Sequence, residues 1–328
     1  MISRTIPKRL GVACVALAAM ASVQDTHAQS SFPNRPVRLV NPYTPGGSVD
    51  IVSRAVAAGL GEIWGQQVIV DNRPGAGTVI GTEIVTRAEP DGYTMLCNSS
   101  AIAIMPAMYR SIKFDTVRDL SAIIHVTSSN SMLAVHPSVP VKSVKELIVL
   151  AKAQPGQMTA AVSGIGSTNH LTTELFKTMA QLDLLVVPYK GGGPAMTDLI
   201  GGQVKMFFNS AAAFLPLMKA GKVRVLATSG AQRADYAPEI PTVAESGLPG
   251  FESSTWFAIY GPRALPAALA QRWNEAVNRY LETPQAKEYF RKNHMRPVGG
   301  TIASFAEYHK SETARWSKVI VSAGIKPQ

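Results

Sequence analysis

Val37-Arg38-Leu39-Val40-Asn41, followed closely by Thr44-Pro45-Gly46-Gly47-Ser48-Val49-Asp50, decides the fold class. The first five residues predict a short buried strand. Beyond the turn, apolar residues at 51, 52, 55, 56, 60 and 63 mark one face of a helix that Gly65 ends. A strand that turns through Pro-Gly-Gly into a helix leaves first-turn N–H groups without intrahelical partners. Glycines let an anion approach that backbone, and the helix dipole favours negative charge there. Two readings fit. In one, Thr44, Gly46, Gly47, Ser48 and Asp50 hold a carboxylate of a small ligand; in the other, Ser48 or Asp50 caps an ordinary βα turn.

Strand and helix patterns alternate along the rest of the chain, which predicts α/β layers over mixed, parallel-rich sheets. Gln67–Val70 is a strand leading into Asn72-Arg73-Pro74-Gly75-Ala76-Gly77, then a helix with Val79, Ile80, Ile84 and Val85 inward. A strand ending at Cys97 delivers the small polar run Asn98-Ser99-Ser100, at the end where open α/β sheets bind ligands. Ala122–Val126 and Met132–Val135 read as two strands separated by polar Thr127–Ser131, and the chain is expected to cross into a second domain here. Ser143 and Glu146 form a capping box for a helix to about Ala153, as Thr242 and Glu245 do further on.

Strand Thr159–Val162 meets a second glycine–serine turn, Ser163-Gly164-Ile165-Gly166-Ser167-Thr168-Asn169-His170, and then a helix with Leu171, Leu175 and Phe176 inward. It repeats the physics of the first turn. A third small-residue turn runs from Tyr189 through Lys190 and Gly191 to Pro194, and strand Val204–Phe208 ends at Asn209. Phe251–Trp256 is the expected return crossing, and the last seventy residues read as three helices. The expected layout is a leader at 1–28, a split domain of 29–127 and 255–328, and a continuous domain of 128–254. Hinge strands are expected near 122–135 and 251–256. Turns facing each other across a cleft would clamp an anionic molecule, each N–H to an ionised acceptor contributing about 1.5–3 kcal/mol.

Arg4, Lys8 and Arg9, an apolar run from Leu10 to Ser22 and Thr26-His27-Ala28 have the order of a secretory signal, and the run is too short to span a bilayer. Its removal takes away three basic residues and one acidic, lowering the net charge from +10 to +8. Lys and Arg are scattered singly, so a field that draws in anionic solutes is the expectation and nucleic acid is not an expected partner. Of the two cysteines, only Cys97 survives cleavage, which excludes an intramolecular disulfide.

Tyr43-Thr44-Pro45-Gly46-Gly47-Ser48-Val49-Asp50, Asn72-Arg73-Pro74-Gly75-Ala76-Gly77, Pro90-Asp91-Gly92-Tyr93-Thr94, Pro188-Tyr189-Lys190-Gly191 and Pro241-Thr242-Val243-Ala244-Glu245 together resemble the Bug (TctC) family. These are extracytoplasmic solute receptors of tripartite tricarboxylate transporters. The resemblance runs from about Phe32 to Lys326. It implies a two-lobed periplasmic binding protein of the type II-like Venus-flytrap kind that captures small carboxylates for membrane components of such a transporter; the receptor is expected to be a monomer. It also implies that Tyr43 and the Thr44–Asp50 turn, with Ser163, Gly164, Gly166, Ser167, Thr168 and His170, grip one ligand carboxylate. The far end of the ligand then lies near Asn98, Ser100, Tyr189, Gly191 and Asn209. Many family members carry aspartate where Asn209 stands; its absence argues against a ligand amino group and for a second carboxylate or a neutral end.

Other classes fit the residues less well. Gly75-x-Gly77 with Gly81 imitates a dinucleotide fingerprint, but the third glycine is displaced and Asp91 sits in a Pro-Asp-Gly turn, against a nucleotide-dependent oxidoreductase. G-x-S-x-G, H-E-x-x-H and C-x-x-C are all missing from the sequence, so no catalytic residue, cofactor or metal is expected. His170 either donates to the ligand or packs beneath its loop. A sensory module for a membrane receptor would use the same fold and site.

Overall fold

The computed structural model describes residues 32–110 and 112–327; the expected leader and Cys14 lie outside the described residues. The chain begins with β1 (Val37–Asn41), α1 (Ser48–Trp64), β2 (Val68–Asn72), a 3-10 turn, α2 (Val79–Thr86), β3 (Thr94–Ser99) and α3 (Ala101–Met108). Gly65, at φ 65°, ends α1 in the left-handed region where a Cβ is disfavoured. β1 pairs in parallel with β2 and β3. Then comes β4 (Leu120–Val135), followed by α4 (Val144–Ala153), β5 (Thr159–Val162), α5 (Thr168–Ala180), β6 (Leu185–Pro188) and α6 (Gly192–Ile200). Next are β7 (Met206–Ser210), α7 (Ala211–Lys219), β8 (Arg224–Thr228) and β9 (Ser254–Pro262). The chain ends with α8 (Ala267–Leu281), α9 (Pro284–Lys292), β10 (Arg296–Pro297) and α10 (Ile302–Ser322).

The strand order is β2-β1-β3-β9-β4-β7-β5-β6, and it divides into two mixed sheets, one per lobe. β9 runs antiparallel between β3 and β4 in the first sheet. β5 runs parallel to β6 and β7 in the second. The two meet through β4, whose residues Leu120–Asn130 pair with β9 and whose residues Ser131–Val135 pair with β7. A serine clasp lies beside this joint. Ser229 N–H donates to the Ser131 carbonyl while Ser131 N–H donates to Ser229 Oγ, Ser253 N–H donates to the Ser229 carbonyl, and Ser253 Oγ lies 2.6 Å from Thr172 Oγ1.

Three apolar layers hold the lobes. Val52, Val56, Leu60, Trp273 and Phe290 fill one face of the first sheet. Phe207, Phe214 and Leu199 fill one face of the second. The third layer is continuous between the lobes, bringing Leu96, Trp256, Phe305 and Trp316 together with Leu133, Phe176 and Phe208. The last helix spans it, packing on both α3 and α5. Glu312 of that helix is buried and accepts both the Trp256 and Trp316 indole N–H groups, at 3.3 and 3.0 Å, and pairs with Arg315 at 2.8 Å. Cys97 is buried, which pushes its thiol up to about 12.

Three sequence expectations are corrected. The two strands around Thr127–Ser131 are one strand, because Ser128–Ser131 face cavities, Thr127 donates to the Arg296 carbonyl, and neither interrupts backbone pairing. A further helix, α3, occupies Ala101–Met108, with Pro106 inside it and Ile102, Ala103, Ile104, Met105 and Met108 buried. The Thr242–Glu245 box forms both of its hydrogen bonds, but only turns follow it. Ile80 is 49% exposed, its Cδ1 lying over Gly75 on the surface.

Candidate functional site

The first glycine turn folds as a βα turn with a brace beneath it. Gly47 is the N-cap of α1 and offers no side chain, so the first-turn amides receive no side-chain cap. Asp50 points back into the turn: Oδ2 accepts from Gly46 N–H at 3.0 Å and Arg54 Nε at 2.8 Å, and Oδ1 accepts from Asn72 Nδ2 at 3.0 Å. Burial resists its ionisation, but these bonds and the Arg54 charge outweigh that and hold the carboxyl below its ordinary range. Asp50 and the Gly46 amide therefore serve the turn's shape. Thr44, Gly47, Ser48 and Val49 reach the cleft.

The second turn is organised by its own side chains. Ser167 caps α5 by accepting His170 N–H at 3.3 Å. Its hydroxyl lies 2.6 Å from the Gly164 carbonyl and 2.7 Å from Asn169 Oδ1, and one proton can serve only one of them at a time. Asn169 Nδ2 donates to Ser163 Oγ at 2.8 Å. Gly166 adopts φ +77°, and its N–H donates to His170 Nδ1 at 3.0 Å. That leaves His170 buried beneath the loop, with burial lowering its pKa so that the ring is neutral. Met108 of α3 packs its Cε where a Gly166 Cβ would stand, joining the first lobe to this loop.

The two turns share one cleft of about 440 Å³. Thr44, Gly47 and Ser48 line one wall; Ser163, Ser167, Thr168 and Asn169 line the other. Asn209 and Ser210, at the start of α7, close one end. Asn209 Oδ1 accepts Ser210 N–H at 2.9 Å, and Gly192 at the start of α6 lies beside its Nδ2. Ser99 lines the cleft two residues before α3, its Oγ 2.6 Å from the Tyr43 hydroxyl. Burial raises that phenol to about 12, keeping it a neutral donor, although the Ser99 bond opposes the shift. Among the described residues no charged side chain lines the cleft. Helix N-termini converge on it instead, those of α1 and α5 facing each other and that of α7 at the end, so the local field favours an anion.

Several expected residues lie elsewhere. Asn98 is fully buried, and its Nδ2 donates to Thr82 Oγ1 at 3.2 Å, because alternate strand residues face opposite ways and Ser99 takes the cleft side. Ser100 is buried with its Oγ unpartnered. Tyr189 turns away to donate to Asp198 Oδ2 at 2.6 Å. Gly164, Gly166 and Gly191, with positive φ, shape the loops without lining the cleft. Ser129, Asn130, Ser131, Thr255 and Phe257 form the floor, none of them among the site residues expected from the sequence. The polar run inside an apolar strand pattern was their signal. No group of three His, Cys, Asp or Glu among the described residues is placed to hold a metal, and no helix there is long and apolar enough to cross a membrane.

Residues 52–325 match the model of the tripartite tricarboxylate transporter family receptor, TctC. Protein BugT of Bordetella pertussis is 34% identical over 310 residues, covering 94% of this chain and 95% of BugT. The solved structure of Rpa4515 from R. palustris with adipate is 36% identical and superposes with a TM-score of 0.74, covering 90% of this chain and all of that one. MatC from Rhodopseudomonas palustris with bound malate is 26% identical, with a TM-score of 0.70, covering 88% of this chain and all of that one. The chain belongs to the TctC family of tripartite tricarboxylate transporter receptors.

Proposed function

We propose that the protein captures a small dicarboxylate between its lobes in the periplasm and delivers it to membrane components of a tripartite tricarboxylate transporter. The observation that carries this is the cleft itself, in which hydroxyls, amides and helix N-termini from both lobes converge without a charged side chain. Such donors bind an anion when desolvated, each contributing about 1.5–3 kcal/mol, so a few suffice for micromolar affinity. A cleft of about 440 Å³ has room for a short diacid. The adipate and malate held by the two solved relatives are acids of this size. One carboxylate sits between Thr44, Gly47, Ser48 and Ser163, Ser167, Thr168; the other end meets Ser99, Asn209 and Ser210. Residues 29–127 and 255–328 make one lobe and 128–254 the other, hinged near 122–135 and 251–256, and the receptor works as a monomer without catalysis.

The test is a thermal-shift screen of the mature protein with adipate, malate, succinate and citrate, with amino acids and sugars as controls. A ligand at a hundred times its dissociation constant adds about 2.7 kcal/mol of apparent stability. Gly47→Val, which places a branched side chain among the α1 amides, should remove the shift while leaving the unliganded melting temperature nearly unchanged. A screen in which no carboxylate raises the melting temperature overturns the reading.

A further inference from the structure

Behind the strands that join the lobes lies a second, larger cavity, a groove of about 870 Å³. His125, Ser128 and Ser254 form its floor, and Asn130 borders both groove and cleft. Their neighbours Ser129, Ser131 and Thr255 line the cleft, as expected where adjacent strand residues face opposite ways. Groove and cleft are therefore two sides of the same pair of strands. A rotation about those strands that opens the cleft narrows the groove.

The walls of the groove carry opposite charge. On one side stand Lys287, Arg291 and Arg296 with Glu288, whose Oε2 is held by Arg291 at 2.8 Å. On the other stand Asp235 and Glu252 with Arg233, which pairs with Glu245 at 2.9 Å. Lys287 and Arg296, from the chain after β9, thus share the groove with Asp235 and Glu252, from the chain before it, and among the described residues no ion pair joins the two sets.

We propose that these opposed charges are a counterweight to the cleft: they pair when the lobes swing open, hold the empty receptor open, and must separate when it closes on its ligand. Apparent affinity is the intrinsic affinity reduced by the fraction of receptor that is closed, so the groove sets affinity without touching ligand. Each exposed pair shifts the open–closed balance by a factor of up to about 5, because solvent screens it.

The primary test needs no ligand. Nitroxide labels at exposed Lys152 and Arg279, one in each lobe, report the interlobe distance in the empty protein. The double variant Asp235→Lys, Glu252→Lys turns attraction into repulsion and should move the distribution toward the distance of the closed form. Adding Lys287→Glu and Arg296→Glu should restore the original distribution. Titration with adipate, which rests on the function proposed above, should show the double variant binding about three- to thirtyfold more tightly. That advantage should shrink in 0.5 M salt, where the Debye length falls to about 4 Å. An unchanged distance distribution in the double variant, or a shift that the fourfold variant fails to reverse, overturns the counterweight. A shift in distance without any adipate binding leaves it standing and counts against the ligand class.

Discussion

Replacing Asp50 by alanine removes the acceptor that shapes the first turn, and the cost follows from what each donor can find in its place. Gly46 is exposed, so its N–H exchanges Asp50 for water at little cost. Asn41 is fully buried and loses its side-chain acceptor at 3.4 Å, a stranded donor worth about 1–3 kcal/mol. Asn72 keeps its bond to the Tyr43 carbonyl at 2.9 Å and loses the one to Asp50, worth about 1 kcal/mol. The sum is about 2–4 kcal/mol, or a fall in melting temperature of about 3–6 °C for a chain of this size. The pH dependence has a definite sign. The folded carboxyl is held below the unfolded value of about 3.9, so its contribution is complete above that value and fades as pH falls through the folded one. The gap between wild type and Asp50→Ala should therefore be full at pH 7 and narrow below pH 4 in calorimetric melts. Ligand-induced shifts should disappear at all pH values, because Thr44 to Ser48 lose their support. A variant that melts within 1 °C of wild type at pH 7 would refute the brace.

Three further outcomes are expected. Gly166→Ala forces a left-handed alanine at about 1–2 kcal/mol and pushes on Met108 Cε, so it should melt slightly lower and bind ligand more weakly by calorimetric titration. Burial lowers His125 and His309 to about 4, so the stability that rests on their neutral form is complete above about 6.5 and is lost as pH falls toward 4. His309→Phe, which also removes a buried unpartnered Nε2, should flatten that loss between melts at pH 7 and pH 4.5. Glu312→Ala strands two buried indole N–H groups and should cost about 2–4 kcal/mol, with a shifted tryptophan emission; unchanged fluorescence would count against this account of the last helix.

The βα units and the general position of the cleft could be read from the sequence because their signals are local. Gly65 and the Ser143–Glu146 box act within one turn of chain, and the structure uses them as expected. Pairing across the molecule leaves no such mark. Thr127–Ser131 reads as a break because its residues are polar, yet the backbone continues to pair while the Ser128–Ser131 side chains serve two cavities. The same limit separates Asn98 from Ser99: the segment was legible, but which neighbour faces the ligand depends on register against β9. His170 and Asp50 stand beside the cleft in sequence and support it from below in space, since a loop that exposes its amides must tie down its other polar groups.

Recognition by peptide ends is short-sighted in a way that recognition by a formal cation is not. The influence of a helix terminus dies away over the length of a single turn, so the grip exists only while both walls stand close. An arginine at the same spot would still attract the acid from a nanometre off. A jaw lined as this one is can hold tightly when shut and let go after parting by a few ångströms, which suits a carrier whose cargo must leave as readily as it came.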